Sequence, residues 1–514
     1  MLATALSVSL LGLHVTPIRV EVQAHRGIPS FELVGLAEAA VRESRVRVKS
    51  ALAQIGVDLS EYRIVVNLAP ADVKKYGSGF DLAIAAAALG ALKLVDPAAL
   101  EGVLFLGELS LAGSVHGVRG VLPKLVGARS HGVKCAVVPK PNEAEAALAS
   151  GIEAYPVATL AELVTYLRGT TPLPLAQPAA PVRGETTGED LEDVRGQESA
   201  RRALEICAAG AHNLLMVGPP GAGKTMLARR LPTILPLATP EEALEITAVH
   251  SVAGLLGSRA TLLTERPFRA PHHTVSEAGL VGGGEWPRPG EVSLAHQGVL
   301  FLDELPEFRR VALESLRQPL EDGVVTVSRA QGRATFPARP LVAAAMNPCP
   351  CGFHGDGSGR CVCTGERVRA YRGRLSGPLV DRLDVHVALP AVAVNELRRG
   401  ISGESSAVVR ERVAAARERQ SRRAKKKKLG AAVNAVLSAR ELESVVSLCG
   451  TSEMLLTTAV SRLGLSARAY GKVLRVARTI ADLAGREGVE PEHVAEAVGF
   501  RLLDRGLPTL PAAA

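Results

Sequence analysis

The chain divides into stretches that differ in how apolar and polar residues alternate. Residues 1–167 mix short apolar runs of strand type, such as 63–68 and 135–139, with Ala- and Leu-rich stretches of helical length. Residues 189–390 alternate strand-like runs with helical stretches, the pattern of a parallel α/β sheet. Residues 391–514 have helical spacing and almost no strand signal. We therefore predict two α/β domains followed by a helical one.

Two further segments of the pattern need interpretation. Residues 170–188 contain four prolines and no apolar periodicity, so we interpret 168–188 as a linker. The first thirteen residues are apolar, but no basic residue precedes them and an alternating segment follows, which is typical of a β-hairpin rather than a signal peptide. No apolar stretch reaches the roughly 18–20 uncharged residues of a membrane span. We expect a cytoplasmic protein without a membrane partner.

Composition narrows the function classes only slightly. The 514 residues are 47% apolar and 22% charged, which excludes wholesale disorder. The net charge of +8 is a mild basic bias that is compatible with a polyanionic partner. Aromatic residues make up 3%, so a groove that grips single strands by repeated base stacking is not expected.

A phosphate-binding loop stands between an apolar run and a helical stretch. It matches the pattern G-x-x-x-x-G-K-[ST] and consists of Gly218, Pro219, Pro220, Gly221, Ala222, Gly223, Lys224 and Thr225. The glycines let backbone N–H groups close around phosphates. Lys224 would reach the β- and γ-phosphates, and Thr225 would bind Mg²⁺.

Polar side chains end two later apolar runs of the same domain. Residues 299–302 lead into Asp303 and Glu304, which would hold the Mg²⁺ shell and activate the attacking water, respectively. Residues 341–346 lead into Asn347, whose amide can bridge the γ-phosphate and that water without adding charge. Together with the phosphate-binding loop, these residues predict a site for ATP hydrolysis.

Long stretches of the chain resemble one protein family. Residues 218–225, 287–308, 320–352 and 375–387, in this order, resemble the magnesium-chelatase-like branch of AAA+ ATPases, and more narrowly the bacterial ComM (YifB-type) family. The resemblance also covers residues 27–52 and 465–483, and hence nearly the whole chain. It implies an α/β fold class with three parts. These are a Lon-protease-like (S5-type) α/β domain at 1–167, an AAA+ P-loop α/β domain at 189–390 and a helical lid at 391–514.

The resemblance adds two arginines to the site and implies an assembly. Arg382 matches the arginine finger that reaches a neighbouring subunit's nucleotide, and Arg468 matches the sensor 2 arginine of the lid. An arginine that acts on a neighbour requires a ring, and the family is expected to form homo-hexamers.

Two insertions are typical of this branch. One lies between the P-loop helix and the acidic strand and includes residues 268–274 and 282–286. The other is a hairpin at 324–333, where the resemblance implies that Arg329 and Arg333 face a central pore and meet DNA phosphates. We interpret His272 and His273 of the first insertion as structural.

Four of the seven cysteines form a cluster along the chain. Cys349 and Cys351 make one C-x-C pair, Cys361 and Cys363 make a second, and nine residues separate the two pairs. Four thiolates can close a tetrahedral structural Zn²⁺ site, and the intervening segment is polar and glycine-rich. Because some members of the resembling family lack these cysteines, we expect them to stabilise a loop rather than to take part in hydrolysis.

The first domain resembles Lon-type peptidases without their catalytic pair. Active members need a serine nucleophile and a lysine base, and those positions fall on Gly79 and Leu122. Ser78 and Lys124 are one and two residues away, offsets that are expected to turn their side chains off the site. We predict a non-proteolytic domain that helps assembly or DNA contact.

A basic run interrupts the helical region. Residues 410–428 carry ten basic and two acidic side chains. We predict that residues 425–428 lie in an exposed loop between lid helices, as a solvated surface or as a contact for DNA or another polyanion, with Lys425 and Lys426 as the candidate contacts.

These observations favour an ATP-hydrolysing hexameric motor that uses Mg²⁺ and ATP and acts on branched or single-stranded DNA. In the resembling family the implied work is branch migration in recombination or natural transformation. A metal-insertion ATPase like the magnesium chelatase motor subunit is the main alternative, although the Lon-like domain and the lack of an integrin-type domain disfavour it. A protein-remodelling or proteolytic machine and a non-catalytic scaffold are weaker alternatives.

Overall fold

The computed structural model describes residues 1–36, 38–77, 79–179, 188–257, 261–284, 286–329, 332–391 and 403–501. Ser78, named above, lies outside the described residues. Three regions are distinguished below: the N-terminal region (1–167), the central region (189–390) and the C-terminal region (403–501). No helix within the described parts of the chain is long and apolar enough to cross a membrane.

The N-terminal region is built on a seven-stranded mixed sheet with the order β3-β4-β2-β1-β5-β8-β9. The strands of the whole region are β1 (Leu2–Leu11), β2 (His14–Arg26), β3 (Ser30–Val34), β4 (Tyr62–Ala69), β5 (Val103–Phe105), β6 (Glu108–Leu109), β7 (Val115–His116), β8 (Cys135–Pro139) and β9 (Glu153–Val157). Of these, β6 and β7 pair with each other in a separate two-stranded sheet. Its helices are α1 (Ala39–Gln54), α2 (Asp81–Ala91), α3 (Val121–Ser130), α4 (Glu143–Ala146) and α5 (Leu160–Leu167).

The apolar patterns of this region become buried elements. β1 and β2 pair antiparallel from Leu2 with Gln23 to Leu11 with His14, which confirms the hairpin predicted at the start. All eleven residues of α2 are buried, as expected for a helix that is apolar on every side. The one acid of α2, Asp81, pairs with Arg47 at 2.6 Å, so its charge is matched inside the core.

The central region contains a five-stranded parallel sheet with the order β11-β14-β17-β10-β18. Its strands are β10 (Leu214–Val217), β11 (Phe268–Arg269), β12 (Gly282–Gly283), β13 (Arg288–Pro289), β14 (Val299–Leu302), β15 (Val324–Arg329), β16 (Gly332–Pro337), β17 (Leu341–Met346) and β18 (Val385–Ala388). Its helices are α6 (Glu198–Gly210), α7 (Lys224–Ile234), α8 (Pro240–Ala253), α9 (Glu277–Val281), α10 (Glu291–Leu294), α11 (Arg310–Ser315), α12 (Arg317–Asp322), α13 (Gly365–Arg372) and α14 (Gly377–Val380).

The predicted parallel sheet is confirmed, with one correction at its edge. The family resemblance places Phe268 and Arg269 in an insertion, but they form β11 and pair with Val299 and Leu300 of β14. The run was too short for a strand signal. The aromatic ring of Phe268 stacks on Phe301 at 6.2 Å, so tertiary packing places it in the sheet.

The predicted hairpin of the second insertion is present as β15 and β16. β16 packs against Gly12 of the N-terminal region. The approach is so close that a Cβ added at Gly12 would lie 2.8 Å from the carbonyl oxygen of Thr335. Tyr76 of the N-terminal region meets the ring of Trp286 edge-on at 4.7 Å. The N-terminal region therefore contacts both insertions of the central region.

The described C-terminal region is helical, as predicted. Its helices are α15 (Ser406–Lys427), α16 (Ala439–Val445), α17 (Gly450–Leu463), α18 (Ala467–Leu483) and α19 (Pro491–Gly499). Val473, Val476 and Ile480 of α18 are buried, which confirms the apolar spacing. A buried ion pair between Lys472 of α18 and Asp384 (2.7 Å) joins this region to the central sheet.

The prediction of a loop at residues 425–428 is wrong for most of the run. Lys425, Lys426 and Lys427 form the last turn of α15, and Lys428 caps it with a φ of +53°. Cations are stabilised at a helix C-terminus, where the backbone carbonyls carry partial negative charge. The four side chains are exposed, as predicted.

Candidate nucleotide-binding site

The phosphate-binding loop joins β10 to α7, as its sequence predicts. Gly221 and Gly223 have φ of +79° and +88°, a backbone that favours glycine. Gly218 is confined as well, since a Cβ there would lie 2.6 Å from the carbonyl oxygen of Leu389. Helix α7 begins at Lys224, so the loop leads into a helix N-terminus that attracts anions.

Lys224 and Asn347 meet at the carboxyl ends of neighbouring strands. The Lys224 Nζ donates to the Asn347 Oδ1 at 3.0 Å and to the carbonyl oxygens of Gly218 (2.7 Å) and Pro219 (2.9 Å). Desolvation lowers the pKa of Lys224, while the charges of Asp303 and Glu304 act in the opposite direction. The amine therefore lies where a phosphate can replace its carbonyl partners.

The acidic pair, Asp303 and Glu304, lies at the end of β14, beside the start of α7. The Thr225 Oγ1 donates to the Asp303 Oδ2 at 2.7 Å, which joins the start of α7 to the end of β14. A hydroxyl and a carboxylate oxygen at this spacing are the hard ligands that Mg²⁺ takes beside a nucleotide. Glu304 follows with a φ of +52° and an exposed carboxylate. The positions suit Mg²⁺ binding by Thr225 and Asp303 and contact of Glu304 with water.

His273, which we interpret as structural from the sequence, contacts Glu304 of this site. Its Nδ1 lies 3.2 Å from the Glu304 Oε2. Its ring lies 4.1 Å from the ring of His272 and meets Phe308 edge-on at 6.4 Å. No local signal identifies this contact, because it joins the segment after β11 to the turn after β14.

Arg382 and Arg468 lie away from the phosphate-binding loop of their own chain. Both line a cavity of about 1270 Å³ between the central and C-terminal regions, and no described residue of the phosphate-binding loop lines it. Arg382 pairs with Glu321 and donates to the carbonyl oxygen of Pro378 at 2.6 Å. The hydrogen bond and charge of Arg382 lower the pKa of Glu321, and the charge of Arg468 adds to the effect.

The four clustered cysteines converge in space. Their sulfur atoms all lie within 4.8 Å of one another, and Cys349 is buried while the other three are half-buried. The loop that carries them follows Asn347 and precedes α13.

In the N-terminal region, the side-chain amine of Lys124 lies next to Gly79. A Cβ at Gly79 would lie 3.6 Å from the Nζ of Lys124, so the expectation that the two-residue offset turns Lys124 away is wrong. Lys124 lies in the first turns of α3, and its long side chain carries the amine back to Gly79. Desolvation lowers the pKa of Lys124 to about 8 against the opposing charge of Glu145. Leu122, at the expected lysine position, is fully buried.

The candidate DNA contacts are exposed. Arg329 and Arg333 lie near the tip of the β15–β16 hairpin, where Arg333 pairs with Ser328 across the strands. Lys425 and Lys426 lie at the end of α15.

Comparison with known proteins identifies the family of this chain. Residues 190–397 match the family described as magnesium chelatase, subunit ChlI, residues 20–142 match subunit ChlI of Mg-chelatase, and residues 403–501 match the C-terminal part of that subunit. The competence protein ComM of Haemophilus influenzae is 43% identical over 517 residues, which cover 99% of each chain. The chain belongs to the ComM/YifB-type magnesium-chelatase-like family.

Other relatives are similar to this chain over comparable or shorter spans. The uncharacterized protein YifB of Escherichia coli K12 is 42% identical over 496 residues, 96% of each chain. Lon protease 2 of Bacillus subtilis is 29% identical over 160 residues, 29% of this chain and 28% of that protease. Membership in the ComM/YifB-type family and the likeness to Lon support an ATPase of the AAA+ class.

Proposed function

We propose that this protein is an ATP-driven motor that works as a homo-hexameric ring and moves on branched or single-stranded DNA. Its work is branch migration of recombination intermediates, as in the integration of DNA taken up by natural transformation. Residues 1–167 serve as a non-proteolytic Lon-like domain, 168–188 as a linker, 189–390 as the ATPase domain and 391–514 as the lid.

The observation that carries the ATPase is the convergence of Lys224, Thr225, Asp303, Glu304 and Asn347 at the carboxyl ends of β10, β14 and β17. In this proposal, Lys224 and the loop amides bind the phosphates while Thr225 and Asp303 hold Mg²⁺. Glu304 takes the proton of the attacking water, and Asn347 positions that water.

The ring is supported by the position of the two arginines. Arg382 and Arg468 line one cavity, and the phosphate-binding loop of their own chain does not line it, which favours their contact with a nucleotide held by another subunit. Positive charge that arrives only on assembly makes hydrolysis depend on the neighbour.

The choice of DNA as the substrate is supported by the exposed hairpin arginines, the mild positive charge and the competence role in the name of the Haemophilus relative. A structural Zn²⁺ at the four cysteines completes the proposed cofactors, beside Mg²⁺ and ATP.

ATP turnover in the presence of different DNAs tests the proposal. The purified full chain is assayed with no DNA, single strands, duplex and a four-way junction, beside Glu304→Gln. Strong stimulation by branched or single-stranded DNA that Glu304→Gln abolishes supports the motor. Turnover that ignores every DNA, with no DNA binding at low salt, contradicts it and favours a metal-insertion ATPase, as the family description of a magnesium chelatase subunit suggests.

A further inference from the structure

The cysteine loop packs directly on the nucleotide site. Cys349 follows Asn347 by two residues, just after β17. A Cβ at Gly352 would lie 2.5 Å from the Cδ of Pro220 in the phosphate-binding loop and 3.9 Å from the Cγ of Asn347. Gly352 also has a φ of +88°. Any side chain at Gly352 would therefore strain the backbone and push the two loops apart.

The sulfur atoms have the spacing of a tetrahedral metal site. Cys349 lies 3.3 Å from Cys351 and 3.9 Å from Cys361, and Cys351 lies 3.6 Å from Cys361, measured between sulfurs. Four Zn–S bonds of about 2.3 Å in a tetrahedron place the sulfurs about 3.8 Å apart. A disulfide requires about 2.05 Å, and all seven cysteines are free thiols.

The segment between the two C-x-C pairs has side-chain contacts among residues 353–360, at its tip, while the four cysteines lie at its two ends, which form its base. Residues 352–360 form turns without helix or strand. At the tip, Asp356 accepts from the Ser358 hydroxyl (2.6 Å) and from Arg360 (3.3 Å), and Arg360 lies over the Phe353 ring at 4.2 Å. At the base, the four thiols face one another, the arrangement that a metal ion stabilises.

We infer that Zn²⁺ bound by Cys349, Cys351, Cys361 and Cys363 closes this loop against the phosphate-binding loop, so that nucleotide binding depends on the metal. The inference rests on the proposed ATP site. Without the metal, the base of the loop opens and Gly352 leaves Pro220. Asn347, whose Oδ1 accepts from Lys224 at 3.0 Å, then loses the support of the segment that follows it.

Elemental analysis of the purified full chain tests the metal. Wild type, Cys361→Ser/Cys363→Ser and Cys449→Ser are compared. Cys449 is an exposed free thiol outside the cluster and serves as the matched control. We expect one zinc per chain in wild type and in Cys449→Ser and none in the double variant. Wild type that contains no zinc and takes up none when Zn²⁺ is added overturns the inference.

Binding of a fluorescent ATP analogue with Mg²⁺ tests the dependence. We expect about tenfold weaker binding or more in the double variant and wild-type affinity in Cys449→Ser. Gly352→Ala keeps all four thiols, so it is expected to retain zinc and still bind the nucleotide more weakly. A zinc-free double variant and a Gly352→Ala variant that both bind with wild-type affinity overturn the dependence.

The double variant could lose binding because it fails to fold, so the same binding measurement is made on wild-type protein from which a chelator has removed the zinc. We expect its affinity for the ATP analogue to fall and to return when Zn²⁺ is added. Affinity that is indifferent to stripping overturns the dependence. Failure of the DNA motor would appear separately, as ATP turnover that ignores DNA while zinc content and nucleotide binding behave as inferred.

Discussion

The nucleotide site of the central region and the Gly79 position of the N-terminal region both place a lysine amine at a glycine-containing turn before a helix. Desolvation lowers the pKa of both lysines. At the nucleotide site the Lys224 amine meets the Asn347 amide at 3.0 Å, near the charges of Asp303 and Glu304. At the other position the Lys124 amine faces a glycine that has no side chain.

This difference shows that a perturbed lysine alone does not identify a functional site. Buried lysines with a lowered pKa occur in structural and catalytic settings alike. The groups around the amine decide what it can do: a hydroxyl, carboxylates and an amide at the nucleotide site, and a glycine at the N-terminal position. The groups that suit ATP hydrolysis therefore come together in the central region.

The largest expected effect concerns Arg382, which we propose completes the nucleotide site of a neighbouring subunit. Arg382→Ala is expected to lower the ATP turnover by about 10³- to 10⁵-fold, because the transition state would lose the cation that the neighbour is proposed to supply. Turnover of assembled protein checks this, with Arg374→Ala as the control, since Arg374 pairs with the exposed Glu307. Mixing Arg382→Ala with Glu304→Gln should restore turnover at interfaces that combine an intact Glu304 and an intact Arg382. Mixtures without recovery would show that Arg382 acts within its own subunit or only supports folding.

Glu304→Gln is expected to lower the turnover by about 10²- to 10⁴-fold while ATP binding persists, because the amide cannot accept the water's proton. Glu307→Gln, three residues away, is the control and should stay near wild type. Steady-state kinetics measures the turnover, and binding of an ATP analogue measures the affinity for the nucleotide separately. Wild-type turnover in Glu304→Gln would remove the acidic pair from the mechanism.

A smaller effect is expected at His273, which contacts Glu304 from another segment. His273→Ala should lower kcat by about tenfold and change the KM for ATP little, because the histidine positions the carboxylate rather than the nucleotide. His273→Asn, which keeps a donor, should recover part of the rate, and His272→Ala is the control. A change confined to KM, or equal losses in all three variants, would argue for a purely structural role.

The smallest effect is expected at the N-terminal position. Lys124→Met should leave the ATP turnover within about twofold, in the range of changes far from the reacting groups. Wild type should not cleave unfolded protein substrates, since Gly79 offers no nucleophile. Incubation with a labelled unfolded protein checks this. Cleavage that disappears in Lys124→Met would restore a peptidase to this domain and contradict the comparison.

Structural features that depend on a few consecutive residues could be predicted from the sequence. The phosphate-binding loop, the acidic strand and the hairpin are each encoded within a few residues, and the structure has each of these elements. The contact of His273 with Glu304 joins segments 31 positions apart, so no local period reveals it. The amine of Lys124 reaches Gly79 through side-chain length, which spacing rules for short side chains do not capture. Lys425, Lys426 and Lys427 stay helical because the end of α15 favours cations.

Movement on DNA is the central claim, and strand exchange on a labelled four-way junction tests it most directly. The junction is built from arms that can migrate to completion, and its products are resolved with and without ATP. We predict that wild type converts the junction to products only with ATP and Mg²⁺, and that Glu304→Gln binds the junction without converting it. An intact junction in the presence of wild type that hydrolyses ATP rapidly would contradict the account.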